Sequence, residues 1–488
     1  MNKVDGLFGL STRPEEESSS YASHVEELSS SWWFSHDGYH YFCTVYADSS
    51  LVGWLFGTPI DLENEEVVKT RLDLACDDVS ELIWSEVCQR IAGSWVFIMK
   101  TEDGIDLRQD ACGSIGLVYD KEAQAVASHA YLLLGDDYEK RLDEVARGRH
   151  EVANDGWITG GETAHRGIGR LLPNHRLKLP ECEVSRLDFD FPEYDHAIEP
   201  IVRDMANEIR LVLSALAKSK DVYCSLTGGE DARAILAALR PIAGEFKFMT
   251  FAYPQSGQDV DLAKRVAWAG GINHTVFPSL QGGDPELWLI GAGHAMAGKN
   301  KEFYPTASQL AEKYMVGGLG GEVGKAFLWD KDTSPNLKVT AAGLIQKLKF
   351  PLSDELRDVI QKWLDGIPSN LDAYQILDLA YIELRMACWA FAQPWMKPTP
   401  TRIHPFISYN QFRRMRQIPP QIRATKGVPK IIIEQEWPEL LAVPINKSGN
   451  PVRDLLNSVR NAIRQPDLVR RKVRQLLPSS PRKKMRAH

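Results

Sequence analysis

The sequence predicts an α/β protein in two unlike parts, and three observations carry that prediction. Short alternating runs separated by turn signals fill about the first 180 residues, the pattern of half-buried strands. An acidic, Pro-bearing segment from Asp188 to Pro200 then gives way to apolar residues at helical spacing. Beyond it, strand, helix, strand, helix and strand follow within about sixty residues, the signature of a parallel sheet covered by helices on both faces.

Taken in order, Tyr39 to Tyr46 reads as a strand, as does Trp95 to Met99, which a turn at Glu102-Asp103-Gly104 joins to Ile105–Arg108. Residues 64 to 92 read as a helical interruption. Ile198, Ile201, Val202, Met205, Ile209, Val212, Leu213 and Leu216 form the stripe of an amphipathic helix, which puts a domain boundary near 190. The apolar strand Val222–Leu226, a Gly-rich turn and the helical run Ala232–Leu239 come next. A strand Phe246–Ala252, a helix Asp259–Gly270 and a strand His274–Phe277 complete the unit, and residues 340 to 440 are mostly helical in pattern.

At 44% apolar and 25% charged, the 488 residues have the composition of an ordinary globular protein able to bury a large core. No stretch approaches the roughly eighteen uninterrupted apolar residues of a membrane span. Pro14-Glu15-Glu16-Glu17 follows too soon after Met1 for a secretory signal, so a cytoplasmic protein without a membrane partner is expected. Cys43, Cys76, Cys88, Cys112, Cys182, Cys224 and Cys388 are odd in number, scattered, and never in a Cys-x-x-Cys pair, against both a disulfide framework and a zinc site. The net charge of −8 divides unevenly: from Arg460 onward ten Lys/Arg face Asp467 alone, so the tail is +9 and the rest −17. So acidic a body does not bind nucleic acid nonspecifically; the tail reads as a solvated helical end without an assigned role, the alternatives for it being RNA, an acidic carrier or the body itself.

The turn Ser225-Leu226-Thr227-Gly228-Gly229-Glu230-Asp231-Ala232-Arg233 lies between a buried strand and a helix start, where paired glycines let main-chain N–H groups approach an anion. It is not a Walker loop, since no Lys-Ser/Thr follows the glycines, nor a dinucleotide fingerprint, since Gly-x-Gly-x-x-Gly is absent. Asp231 is placed to hold a Mg²⁺ bridging phosphate oxygens. Alternatively, the glycines only turn a strand into a helix, with Asp231 favoured by the helix dipole.

This turn resembles the pyrophosphate loop of the ATP-pyrophosphatase superfamily, specifically the Leu-Thr-Gly-Gly-x-Asp-Ser-Arg variant of asparagine-synthetase-like proteins. Thr250-Phe251-Ala252, then Asp259 to Ala263 and His274, look like the family's second strand and helix, where the strand lines the adenine pocket. Gly318-Leu319-Gly320-Gly321-Glu322 looks like its later Gly-rich loop, whose acidic residue is the second Mg²⁺ ligand. His404-Pro405-Phe406, Ile418-Pro419-Pro420 and Lys426 to Lys447 resemble the family's helical end, with Lys447 where a lysine stabilises the acyl-adenylate reaction. Gly93 to Phe97, Arg108 to Tyr119 and Gly167 to Pro173 look like its glutaminase-type domain. The resemblance implies a glutaminase-like β-sandwich over 1–190, a parallel-sheet ATP-binding domain with a helical C-terminal part over 191–455, and a basic tail over 456–488.

Departures from the family shape the chemistry. Asp5-Gly6-Leu7-Phe8-Gly9 aligns with the family's Cys-Gly-Ile-Phe-Gly, so the thiol nucleophile is replaced by Asp5, while Cys43 and Cys112 read as structural. The loop serine is Ala232, a lost hydrogen bond on the order of 1 kcal/mol, and the usual second-loop Asp is Glu322. Arg233 either makes a charge-assisted contact at the loop or lies on the helix surface. His165, His175 and His274 lack metal-ligand spacing. Tyr374, Tyr381, Glu383 and Arg385 share one helical stretch, some facing the cleft, and Trp389 and Trp395 belong to an acceptor pocket or to the core.

The resemblance thus implies a ligase. A small-molecule or peptide carboxylate attacks the α-phosphate of Mg-ATP, with Asp231 and Glu322 holding Mg²⁺ and Lys447 and Arg233 assisting. Ser225, Leu226, Thr227, Gly228, Gly229, Ala232, Thr250, Phe251, Gly320 and Gly321 bind the nucleotide, and an amine then displaces AMP. The amine is ammonia, a second substrate, or an amino group of the same substrate as in β-lactam synthetases and lasso-peptide cyclases; a homodimer is left open. The competing reading is a non-catalytic binding or scaffold protein. Because Asp5 cannot supply a thiolate, the purified chain should release no glutamate from glutamine above a protein-free control, with or without ATP. Release above that control would return a glutaminase to the chain.

Overall fold

Along Tyr41–Ala47 and Arg71–Leu74 side chains alternate between more and less buried, whereas Ser50–Asp61 and Ile91–Thr101 are buried nearly throughout. Strands of the second kind need cover on both faces. The computed structural model describes residues 7–12, 22–29, 31–143, 158–187, 191–254, 256–280, 304–391 and 399–447. Strands β1 (Phe8–Ser11), β2 (His24–Ser29), β3 (Trp32–His36), β4 (Tyr41–Ala47), β5 (Ser50–Asp61), β6 (Glu66–Val67), β7 (Arg71–Leu74), β8 (Ile91–Thr101), β9 (Gly104–Gln109), β10 (Val118–Asp120), β11 (Ala125–Ala127), β12 (Ile168–Arg170), β13 (His175–Leu179) and β14 (Glu183–Arg186) build two sheets. The first, β12-β10-β11-β1-β3-β2, is antiparallel. The second, β14-β13-β9-β8-β5-β4-β7 with β6 against β5, is mixed, since β4 and β7 run parallel.

Period-two alternation sorts the two central strands. Trp54, Phe56, Val96 and Ile98 enter a core shared with Phe8 and Phe34 of the first sheet. Leu55, Trp95 and Phe97 point the other way and join Trp84 and Val87 of helix α1 (Ser80–Arg90). The helical reading of residues 64 to 92 is corrected here: only Ser80–Arg90 is helical, because Glu66–Val67 and Arg71–Leu74 pair with β5 and β4 instead.

The expected boundary near 190 falls beside residues 188–190, outside the described ones. Helix α2 (Ile198–Ala217) then buries the stripe read from the sequence, from Ile201 to Leu216. Strand β15 (Val222–Ser225), helix α3 (Glu230–Ala238), strand β16 (Lys247–Ala252), helix α4 (Gly257–Gly270) and strands β17 (His274–Pro278), β18 (Tyr314–Val316) and β19 (Thr401–Ile403) follow. The five strands form a wholly parallel sheet in the order β17-β16-β15-β18-β19. The last two are three residues each, too short to show a period, and the sequence reading missed them. Helices Ala341–Leu348 and Asp354–Asp365 lead to α5 (Ala373–Tyr381), which continues through one π turn, Ile382–Met386, into Ala387–Phe391. The chain is therefore a mixed α/β protein with antiparallel, mixed and parallel sheets. No helix among the described residues is long and apolar enough to cross a membrane, and all seven cysteines are free.

Glu383, in the π turn, ties the helical part to the β-rich part. Its fully buried carboxylate accepts from Arg186 at 2.7 and 2.8 Å, from Asn174 at 2.9 Å and from Trp363 Nε1 at 2.7 Å. Burial works to raise the Glu383 pKa, but the Arg186 guanidinium and these hydrogen bonds outweigh it and hold the carboxyl below its ordinary value. A folded-state pKa that is lowered gives stability that is complete above the ordinary carboxylate value of about 4.3 and is lost as the pH falls through the folded value. Glu383→Gln should therefore cost about 3 kcal/mol at pH 7 by urea denaturation, and the deficit should shrink towards pH 3. A deficit under about 1 kcal/mol, or one indifferent to acid, would remove the role given to this pairing.

Candidate functional site

In the parallel sheet, β16 and β17 lie to one side of β15 while β18 and β19 lie to the other. The chain thus switches direction between β15 and β18, and the crevice at their carboxyl ends is where such sheets take ligands. The loops leaving those two strands meet there. Leu226 N–H donates to Met249 O at 2.7 Å and carries the strand one residue further, before Thr227-Gly228-Gly229 turn into α3. The first-turn N–H groups of α3, like those of any helix, have no intrahelical partners, and the N-cap Gly229 offers them no side-chain cap. Within the loop itself, Gly228 N–H donates to Asp259 Oδ1 at 3.3 Å and Gly229 N–H to Thr227 Oγ1 at 3.2 Å. The first-turn amides of α3 are therefore the donors left for an anion.

The second loop runs close against Asp231, and glycine is what permits it. A Cβ on Gly318 would sit 2.8 Å from Asp231 Cβ, and one on Gly321 would sit 2.2 Å from Asp231 Oδ1. Gly320 adopts φ +101°, with Phe406 packed beneath it, so the His404-Pro405-Phe406 stretch does reach this loop. Val323 O accepts from Arg423, which also pairs with Asp378 at 2.7 Å, and this buried pair fixes the loop from behind.

Charge in the crevice is arranged around a residue the sequence reading did not single out. Lys325 Nζ lies 2.8 Å from both carboxylate oxygens of Asp231 and 3.6 Å from Glu230 Oε2. Glu322 Oε2 is buried without a partner, and burial first, then the Asp231 charge, raises the Glu322 pKa, with Lys325 offsetting part of the shift. Asp231 and Glu322 were expected to hold Mg²⁺. Asp231 Oδ1 and Glu322 Oε2 are both buried without a hydrogen-bond partner, but the Lys325 ammonium stands 2.8 Å from both Asp231 oxygens, so a divalent ion reaches Asp231 only by displacing it. Among the described residues, no group of three or more His, Cys, Asp or Glu is placed to hold a metal.

Arg233 does not lie on the helix surface: it contacts the loop from behind, through Gly228 O, instead of facing the crevice. It is fully buried, and its guanidinium donates to four main-chain carbonyls: Leu440 at 3.1 Å, Val443 at 2.5 Å, Gly228 at 3.3 Å and Pro444 at 3.3 Å. Burial lowers its pKa to about 10. It positions the loop and does not face the crevice. The segment it holds lies over the turn, since Asn446 N–H donates to Gly228 O at 3.0 Å and Gln258 Nε2 donates to Asn446 O at 3.0 Å. Lys447, next along, is exposed at the edge of that contact. Thr250 Oγ1 donates to Leu226 O at 2.5 Å and pairs with His274 Nε2 at 2.8 Å; Phe251 packs at a tilt against Tyr253 and Phe277, with ring centres 6.1 Å apart. Ala232 is buried, and Ser225 is half-buried at the strand end.

Of the remaining candidates, Asp5 and Trp395 lie outside the described residues. Cys43 and Cys112 are buried and burial pushes both thiols up, Cys43 to about 12, so neither is a poised nucleophile. Tyr381 packs its ring 4.4 Å from Phe327 beside the Lys325 turn, while Tyr374 donates to Thr333 O and Trp389 is exposed. Lys325, Asp259 and Asn446 are the site residues missed. Lys325 had a signal, being the first base after the second glycine loop.

No family model and no curated protein matches the chain. Among solved structures, the glutamine phosphoribosylpyrophosphate amidotransferase of B. subtilis, complexed with ADP and GMP, is similar at 12% identity over 66% of this chain and 71% of that one, with a TM-score of 0.19. A likeness of that size carries no argument about fold or function. The geometry does generate a prediction: Arg233→Met should leave four carbonyls without their donor and cost about 2–4 kcal/mol in urea denaturation, with faster proteolysis around 438–447. Unchanged stability and cleavage would mean that the loop does not depend on this clamp.

Proposed function

We propose that the chain is an ATP-dependent, AMP-forming carbon–nitrogen ligase of asparagine-synthetase-like type without glutaminase activity. In this reading a glutaminase-like β-sandwich occupies residues 1–190, the nucleotide-binding domain 191–455 and the basic tail 456–488. One observation supports it above the others: the two glycine loops meet at the strand-order switch of a parallel sheet, against the uncapped start of a helix. The chemistry of the reaction comes from the resemblance alone. The first-turn amides of α3 would take the phosphates, the carboxyl end of β16 at Thr250 and Phe251 the adenine, and Lys447 the leaving pyrophosphate. Mg²⁺ is part of the resemblance, but no step is assigned to it beside Asp231. The acid would be a small molecule or peptide, and the amine ammonia, a second molecule or the same substrate.

A second reading, a non-catalytic binding module, has its own support in the loop amides of Gly228 and Gly229, which are already satisfied within the protein. Products separate the two. Incubated with ATP and panels of carboxylic acids and amines, the wild type should form AMP and pyrophosphate rather than ADP and phosphate. Gly321→Ala, whose methyl would displace Asp231, should weaken ATP binding at least tenfold by calorimetry, about 1.4 kcal/mol. No AMP from any pair, together with no ATP binding at millimolar nucleotide, would favour the binding module.

A further inference from the structure

Lys325 is not a surface lysine resting on the nearest acid. The Gly321–Gly324 turn delivers it into the crevice, its side chain is 25% exposed, and its Cγ lies 3.3 Å from where a Cβ on Gly427 would stand. The ammonium donates to Asp231 Oδ2 at 2.8 Å, stands 2.8 Å from Asp231 Oδ1 and 3.6 Å from Glu230, and lies beside the short turn of Glu322; Asp231 Oδ1 and Glu322 Oε2 are buried without a hydrogen-bond partner. Three carboxyl groups thus converge around one fixed positive charge, at the start of a helix whose first-turn amides lack a cap. A divalent ion entering there would have to take Asp231 from the ammonium and then sit beside the charge it displaced, among side chains only 25% and 19% exposed, where repulsion is less screened than in water. Magnesium gains little from one carboxylate under those terms, since it loses hydration water reluctantly.

We propose that Lys325 is a tethered cation that takes the place of a divalent ion: it neutralises Asp231, keeps metal from the Asp231–Glu322 pair, and faces the phosphates of a nucleotide bound at the α3 start. The part concerning phosphates rests on the nucleotide-site reading; the exclusion of metal does not. Lysine suits the task as a compact point charge on a flexible stem, able to swing from carboxylate to phosphate without leaving the crevice.

Mn²⁺ titration of the full chain, without nucleotide and followed by electron paramagnetic resonance, tests the exclusion. Wild type and Lys325→Arg should show no Asp231-dependent site. Lys325→Met should gain one that binds Mn²⁺ at least about tenfold more tightly, and adding Asp231→Asn should abolish the gain. A wild-type site that Asp231→Asn weakens tenfold overturns the proposal whether or not the lysine variants fold, as does a folded Lys325→Met without a new site. For the phosphate part, ATP should bind the wild type with an affinity that differs less than about threefold between EDTA and excess Mg²⁺, and Lys325→Met should lose about tenfold in EDTA and recover with Mg²⁺. ATP binding by the wild type only with Mg²⁺ overturns the proposal and leaves the nucleotide site standing. No ATP binding under either condition overturns the nucleotide site and the phosphate part with it, and the Mn²⁺ titration still decides whether Lys325 excludes metal.

Discussion

The buried guanidinium of Arg233 is the interaction on which the crevice depends. It donates to carbonyls from two stretches of chain far apart in sequence, Gly228 in the loop and Leu440, Val443 and Pro444 near the end of the described chain. Its hydrogen bonds go to main-chain carbonyls; burial lowers its pKa and the Glu230 charge offsets part of that shift. That arrangement holds the turn after β15 at a fixed distance from the Asn446 segment. It also frees the surface of the loop for other work, because the positive charge at the helix start comes from elsewhere.

Elsewhere is Lys325. Its turn is anchored from the opposite side by the Arg423–Asp378 pair, and Asp378 is itself held by Trp329 Nε1 at 3.0 Å. Two buried arginines therefore set the two walls, one per loop, and the narrow gap between them explains why Gly318 and Gly321 must lack side chains. The electrostatics follow from that spacing: burial and then the Asp231 charge raise the cost of ionising Glu322, and Lys325 offsets part of it.

Much of this was legible before any coordinates. Short apolar or alternating runs bounded by turn residues marked β4, β8 and β9, the stripe from Ile198 marked α2, and the turn from Ser225 to Arg233 marked the start of α3, because each pattern is local. What was not legible depends on distant partners. Strands β18 and β19 owe their form to the sheet edge they join, and residues 66 to 74 became strands because β4 and β5 offered partners. Arg233 looked like a loop or surface charge because nothing in its neighbourhood reveals carbonyls more than two hundred positions away. Lys325 was readable as a base near a glycine loop, but its contact with Asp231 needed both loops in space.

The π turn after α5 carries a consequence for how this region can change. One residue more per turn than an α-helix needs shifts every later side chain by about 100° around the axis. Tyr381, before the shift, packs with Phe327 on the crevice side, while Glu383 within it reaches across to Arg186 and Asn174 of the β-rich part. Removing a single residue there would restore an ordinary helix and swing Glu383 away from its partners. The helix is thus phase-locked: its two faces answer to different halves of the molecule, and length variation that a loop would absorb has no place to go.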